Sequence, residues 1–142
     1  MADEKKVTMS EELAMQEIER WAEENDFDLY VKGPNGVQVL DASVPKLVKA
    51  IQSGSLVLND ANEFEYTVSD KSPSGFAGEK ITFKAPHGAG FMAMDSYKDQ
   101  ESVHKQLAVA SAATGKDVSW FGKLSAKDYK IAFIIAGFFI AG

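Results

Sequence analysis

From Thr8 to Asn25 the apolar residues Leu13, Ile18, Trp21 and Ala22 fall roughly on one face of a 3.6-residue period, with Glu17, Glu19, Glu23 and Glu24 elsewhere. That spacing predicts an amphipathic helix. "TMSE" at its start reads as a capping box, Thr8 and Glu11 each satisfying a free backbone N–H. The period then changes to two. Phe27, Leu29 and Val31 alternate with more polar neighbours, "GPNG" supplies residues that accept positive φ, and Val37 to Leu40 return. This predicts a β-hairpin. Ser43 and Pro45 open a second helix that Gly54 closes. "SLVLN" and "FEYTVS" predict two strands around a "DANE" turn, the second carrying Phe64, Tyr66 and Val68 on one face.

Residues 69–79 are loop by composition, and "KITFK" resumes a strand with Ile81 and Phe83 on one face, up to Pro86. From there the pattern turns helical. A short piece, "GFMAMDSY", precedes a helix from about Gln100 to Ala113 with a stop at Gly115, and "LSAKDYKIAFIIAGFFIA" follows. Ser125 is the expected N-cap of that last helix, with Asp128 in its first turn. The order α-ββ-α-ββ-β-ααα predicts an α+β fold. It comprises a small N-terminal helix and hairpin unit, then a β-hairpin and a C-terminal bundle of about three helices. The expected division is 1–61 and 62–142, with the strand at 63–69 able to belong to either part.

Residues 131–142 carry no polar side chain. As a helix they span about 18 Å at 1.5 Å per residue, against roughly 30 Å of bilayer hydrocarbon, so they cannot cross a membrane alone. Ile131, Phe133, Ile134, Ile135, Phe138, Phe139 and Ile140 surround the helix, leaving no polar face with which to lie flat on one. A helix apolar all round must be covered on every side. Two readings stay open: a fully buried central helix, or a helix whose remaining surface meets another copy or a client.

The chain has 142 residues, of which 45% are hydrophobic and 25% charged, enough for one core. The absence of cysteine excludes disulfides, thiolate metal sites and a cysteine nucleophile and suits a reducing cytoplasm, and no secretory signal is visible. Residues 1–70 hold fifteen carboxylates and six basic side chains, a net −9; residues 71–142 hold six and nine, a net +3. With a total of −6 and Arg20 the single arginine, nucleic-acid binding is not expected. His87 and His104 have no second ligand at helical spacing, "DFD" at 26–28 lacks a third oxygen donor, and "PHGAGF" is no phosphate loop. No serine sits in a G-x-S-x-G elbow. No enzyme activity, metal or cofactor is therefore expected. Met92 and Met94 with Phe91 read as core, or as a soft contact surface.

The second half, "GEKITFKAPHGAGFMAMDSYKD" followed by a variable helix and "KLSAKDYKIAFIIAGFF", resembles the tail assembly chaperones of long-tailed bacteriophages over residues 62–142. The residues that carry the likeness are Ile81, Phe83, Pro86, Met94, Asp95, Leu124, Ser125, Asp128, Tyr129 and Phe138. His87 stands where such proteins usually have a small hydroxylated residue, "GAG" follows where a better helix former is expected, and residues 1–60 have no counterpart. The resemblance implies a non-enzymatic chaperone in the host cytoplasm, absent from the mature virion. It would bind the tape measure protein during tail morphogenesis and help recruit tail tube protein. The alternative is a structural tail protein of the completion or connector type, retained in the virion. Client contact is expected at Phe133, Ile134, Phe138, Phe139 and Ile140, and self-association through the same helix. No membrane partner is expected.

Overall fold

Ser10 starts the first helix, its hydroxyl accepting from the Leu13 amide at 3.1 Å. Glu11 and Glu12 fill the first turn, where the dipole favours negative charge. The computed structural model describes residues 9–85 and 102–141. Thr8, the residue expected to cap this helix, lies outside that range, and the cap it was expected to provide comes two positions later. Helix α1 (Glu11–Glu24) buries Ala14, Ile18, Trp21 and Ala22, whereas Leu13, expected on the same face, is exposed. It ends in a Schellman motif with Asp26 at φ 58°. The Asp26 amide reaches the Glu23 carbonyl at 3.3 Å and the Phe27 amide reaches that of Ala22 at 2.8 Å. The motif hooks Phe27 back onto Trp21, with ring centroids 4.9 Å apart.

Strands β1 (Tyr30–Lys32) and β2 (Gln38–Leu40) pair antiparallel with Val31 opposite Val39. A single 3-10 turn over Pro34–Gly36 joins them. A Cβ on Gly33 would stand 3.0 Å from both the Val37 carbonyl and the Val39 side chain, so a side chain there would have to displace one of them. The expected inward alternation survives only at the base of the hairpin. Leu29 is buried and Phe27 half-buried, but Val31 and Val37 are 43% and 61% exposed. Among the described residues no third strand joins this ribbon, so its outer valines have no core to face.

Asp41 sets the start of α2 (Val44–Gln52), accepting from the Ser43 amide at 2.9 Å and the Ser43 hydroxyl at 2.6 Å. Gly54 closes it at φ 85°, which lets the Ser55 amide reach back to the Ala50 carbonyl at 3.1 Å. A three-stranded antiparallel sheet follows in the order β3 (Leu56–Leu58), β4 (Phe64–Thr67), β5 (Lys80–Phe83). The register sets Leu56 opposite Tyr66 and Tyr66 opposite Ile81. Leu56, Leu58, Phe64, Tyr66, Ile81 and Phe83 therefore share one buried face. Helices α3 (Ser102–Thr114), α4 (Val118–Phe121) and α5 (Ala126–Ala141) complete the fold, which is α+β. The sequence pattern does not predict the one-turn α4, which sets Trp120 against Phe76 with centroids 5.7 Å apart. The short helix expected around Met92 lies outside the described residues.

One hydrophobic core runs without a break from Ala14 to Phe139. The boundary expected between residues 61 and 62 falls in the β3–β4 turn, and β4, the strand that either part could claim, is the central strand of the sheet. The two parts thus differ in charge, while their packing is shared. Of the two readings of the last helix, burial describes most of it. Ile131, Ala132, Ile135, Ala136, Phe138 and Phe139 are core residues. Val109, Ala110 and Ala113 of α3 are buried in the same core, and the Gln106 side-chain amide donates to the Phe133 carbonyl at 2.6 Å. On Trp21 converge Phe64 at 4.6 Å, Phe138 at 5.7 Å and Phe139 at 6.1 Å between centroids.

Because Phe138 fills a site beside the α1 tryptophan, Phe138→Ala is expected to cost about 3–5 kcal/mol. In urea titrations, tryptophan fluorescence and far-UV circular dichroism should lose their signals together. A loss below about 1 kcal/mol would show that the ring is not packed as described.

Candidate functional site

The most completely organised polar site lies at the start of α5. Asp128 occupies the third position of the helix and Ser125 caps it, accepting the first intrahelical bond from the Tyr129 amide at 2.9 Å. The Ser125 hydroxyl accepts from the Asp128 amide at 3.3 Å and donates to Asp128 Oδ2 at 2.9 Å. So far this is the cap that the sequence predicts. What local pattern does not predict is that the same carboxylate reaches the sheet. Tyr66, on the inner face of β4, donates its hydroxyl to Asp128 Oδ1 at 2.6 Å. The loop after β4 adds the Ser69 amide at 3.0 Å and the Ser69 hydroxyl at 2.8 Å. It also adds the Ser72 hydroxyl at 2.6 Å. Ser72 in turn accepts from the Ser125 amide at 2.8 Å.

Asp128 is 0% exposed, yet its two oxygens receive donors from four other residues. Burial alone pushes its pKa up, favouring the neutral acid. The hydrogen bonds from Ser72, Tyr66 and Ser69 together outweigh that and hold the carboxyl below its ordinary value. The Tyr66 hydroxyl moves the other way, raised first by burial and then by its hydrogen bond to Asp128 and the charge there. No buried side-chain nitrogen or oxygen among the described residues is left without a partner. A carboxylate saturated in this way has no lone pair for a substrate proton, and the serines that donate to it are committed. The arrangement acts as a clamp that fixes the first turn of α5 onto β4 and its loop.

The other positions singled out in the sequence are dispersed. Leu124 is half-buried against the core, and Tyr129 stacks on Phe133 with centroids 5.6 Å apart and planes 16° from parallel. His104 is exposed on α3. Pro86, His87, Phe91, Met92, Met94 and Asp95 lie outside the described residues. Of the five expected client contacts, Phe138 and Phe139 are buried on Trp21 and have no surface to offer in this packing. Phe133 and Ile134 are half-buried, and Ile140 is 39% exposed. The physical reason is coverage: α1 supplies a large aromatic surface at the end of α5 that the sequence pattern alone does not assign to it. Among the described residues no helix is long and apolar enough to cross a membrane. Comparison with protein-family models, with curated proteins and with solved structures found no match for this chain.

Replacing Asp128 by Asn puts an N–H₂ group against hydroxyl donors, and is expected to cost about 2–4 kcal/mol at neutral pH. The folded-state pKa of Asp128 is depressed, so its stabilisation is present above about pH 4 and is lost as pH falls through the folded value. Urea unfolding at pH 7 and at pH 3 should therefore show the gap between wild type and Asp128→Asn narrowing in acid. A gap that does not change with pH would contradict the clamp.

Proposed function

We propose that this protein is a non-enzymatic chaperone of phage tail assembly that holds the tape measure protein during morphogenesis and helps bring tail tube subunits to it. The likeness of residues 62–142 to that family carries the reading. The role of the "L-S-x-x-D-Y" segment supports it, because Ser125 and Asp128, two of its residues, organise the clamp that seats the last helix. A holder of a long, aggregation-prone helical client needs an ordered scaffold with accessible binding surface, and a pinned core helix supplies the scaffold. Client contact then falls on surface outside the Trp21 cluster, with Ile140 and the half-buried Phe133 and Ile134 as the part of the α5 surface that is reachable.

The test is co-expression of the full chain with the tape measure protein of a long-tailed phage, followed by affinity capture, and mass spectrometry of purified particles. Capture of the tape measure protein together with absence from particles is expected. Presence in particles at fixed stoichiometry would replace the chaperone by a structural tail protein, and no capture would sink the partnership.

A further inference from the structure

Two grooves flank helix α2, and they differ in charge. One, of about 770 Å³, opens between α1 and α2 and has Glu11, Glu12 and Glu19 on its α1 wall. The other, of about 520 Å³, lies between α2 and α5. Its floor includes Ala50 and Ile131, and its walls carry Lys46 and Lys49 from α2 and Lys127 and Lys130 from α5. All four lysines are exposed, and no carboxylate lines the groove. None of the four makes an ion pair or side-chain hydrogen bond among the described residues. In a chain of net charge −6, this cleft gathers four lysines around an apolar strip, Lys49 standing on the ridge it shares with the acidic groove.

We propose that the groove between α2 and α5 docks an acidic amphipathic helix of a partner protein. The spacing identifies the occupant. Each wall presents its lysines at i and i+3, one turn apart on one helix face. A helix lying between the walls would set its apolar stripe on Ala50 and Ile131 and place carboxylates on both flanks, one turn apart, against the two lysine rows. The methylene stems of the lysines extend the apolar floor while their ammonium groups stay in water. Lys127 also sits in the first turn of α5, where the helix dipole adds to the positive field. The floor and the residue types argue against a polyanion such as a nucleic acid. Ser53 and Ser55, which also line the groove, donate their hydroxyls to the Ala50 carbonyl, and no arginine is present there for bidentate phosphate contact. The inference rests on the chaperone reading only for identifying the partner as the client; the groove's chemistry does not need it.

The probe is a labelled synthetic peptide of about 18 residues, long enough for a marginal helix, with a leucine stripe flanked by glutamates. Binding to the full chain is read by fluorescence anisotropy. The variants are Lys46→Glu with Lys49→Glu, Lys127→Glu with Lys130→Glu, and all four together. Because these side chains are exposed, the circular dichroism and melting of the variants should match the parent. Each pair is expected to weaken binding at least about tenfold, and added salt to weaken it further. A peptide with lysines in place of the glutamates should miss the wild type and bind the four-fold variant. Equal binding by wild type and variants, or equal binding of both peptides, would overturn the proposal. So would a DNA duplex or phosphatidylserine vesicles that compete with the peptide and bind the groove more tightly. Self-association in low salt that Lys46→Glu with Lys49→Glu abolishes would assign the groove to a second copy instead. The assay contains no phage protein, so its failure is distinct from failure of the co-expression capture.

Discussion

Trp21 has to be covered on all sides, and the chain covers it with rings drawn from distant positions. Phe27 comes from the hook after α1, Phe64 from the central strand, and Phe138 and Phe139 from the end of α5. Burying an indole among four rings gains both apolar area and edge-to-face contact, the strongest local packing available to a core without disulfides. It also binds the fate of α1 to that of α5. Neither helix can leave without exposing the tryptophan and the aromatic residues around it.

At the opposite end of α5 the constraint is polar. Asp128 can be buried as an anion only because Tyr66, Ser69, Ser72 and Ser125 supply its donors, and those donors fix both the helix start and the loop after β4. One end of α5 is thus held by rings and the other by a carboxylate, with small residues of α3 packed into the same core. This division of labour makes α5 a scaffold, and the proposed docking groove lies on its flank. There the exposed Lys127 and Lys130 face the α2 lysines across an apolar strip. The hydrophobic part of the helix positions the groove, and the charged part of the same helix supplies one of its lysine walls.

Much of this architecture is legible in local pattern. The 3.6-residue period places Ile18, Trp21 and Ala22 inside, Gly54 marks a positive-φ stop, and Ser125 with Asp128 announces a cap, because each depends on neighbours a few residues away. The illegible features depend on residues far apart in the chain. Nothing near Ser69 or Ser72 indicates that a carboxylate more than fifty positions later will gather them. Alternation at Phe27, Leu29 and Val31 reads as a strand face, but among the described residues no third strand extends the two-stranded ribbon, and Val31 stays exposed. A segment apolar all round reads equally as core or as interface, and the aromatic surface of α1 decides between them. The lysine groove is invisible for the same reason, since its two walls are about eighty residues apart in sequence.

Native-state hydrogen exchange read by mass spectrometry tests most directly the claim that α1 and α5 share one core. If Trp21 joins them, amides in the second half of α5 and the last turns of α1 exchange only through the same global opening. They should then show equal protection and an equal dependence on denaturant. Exchange of the 131–140 segment at markedly lower free energy, with α1 still protected, would contradict the account. It would make the last helix a detachable element that the core does not need.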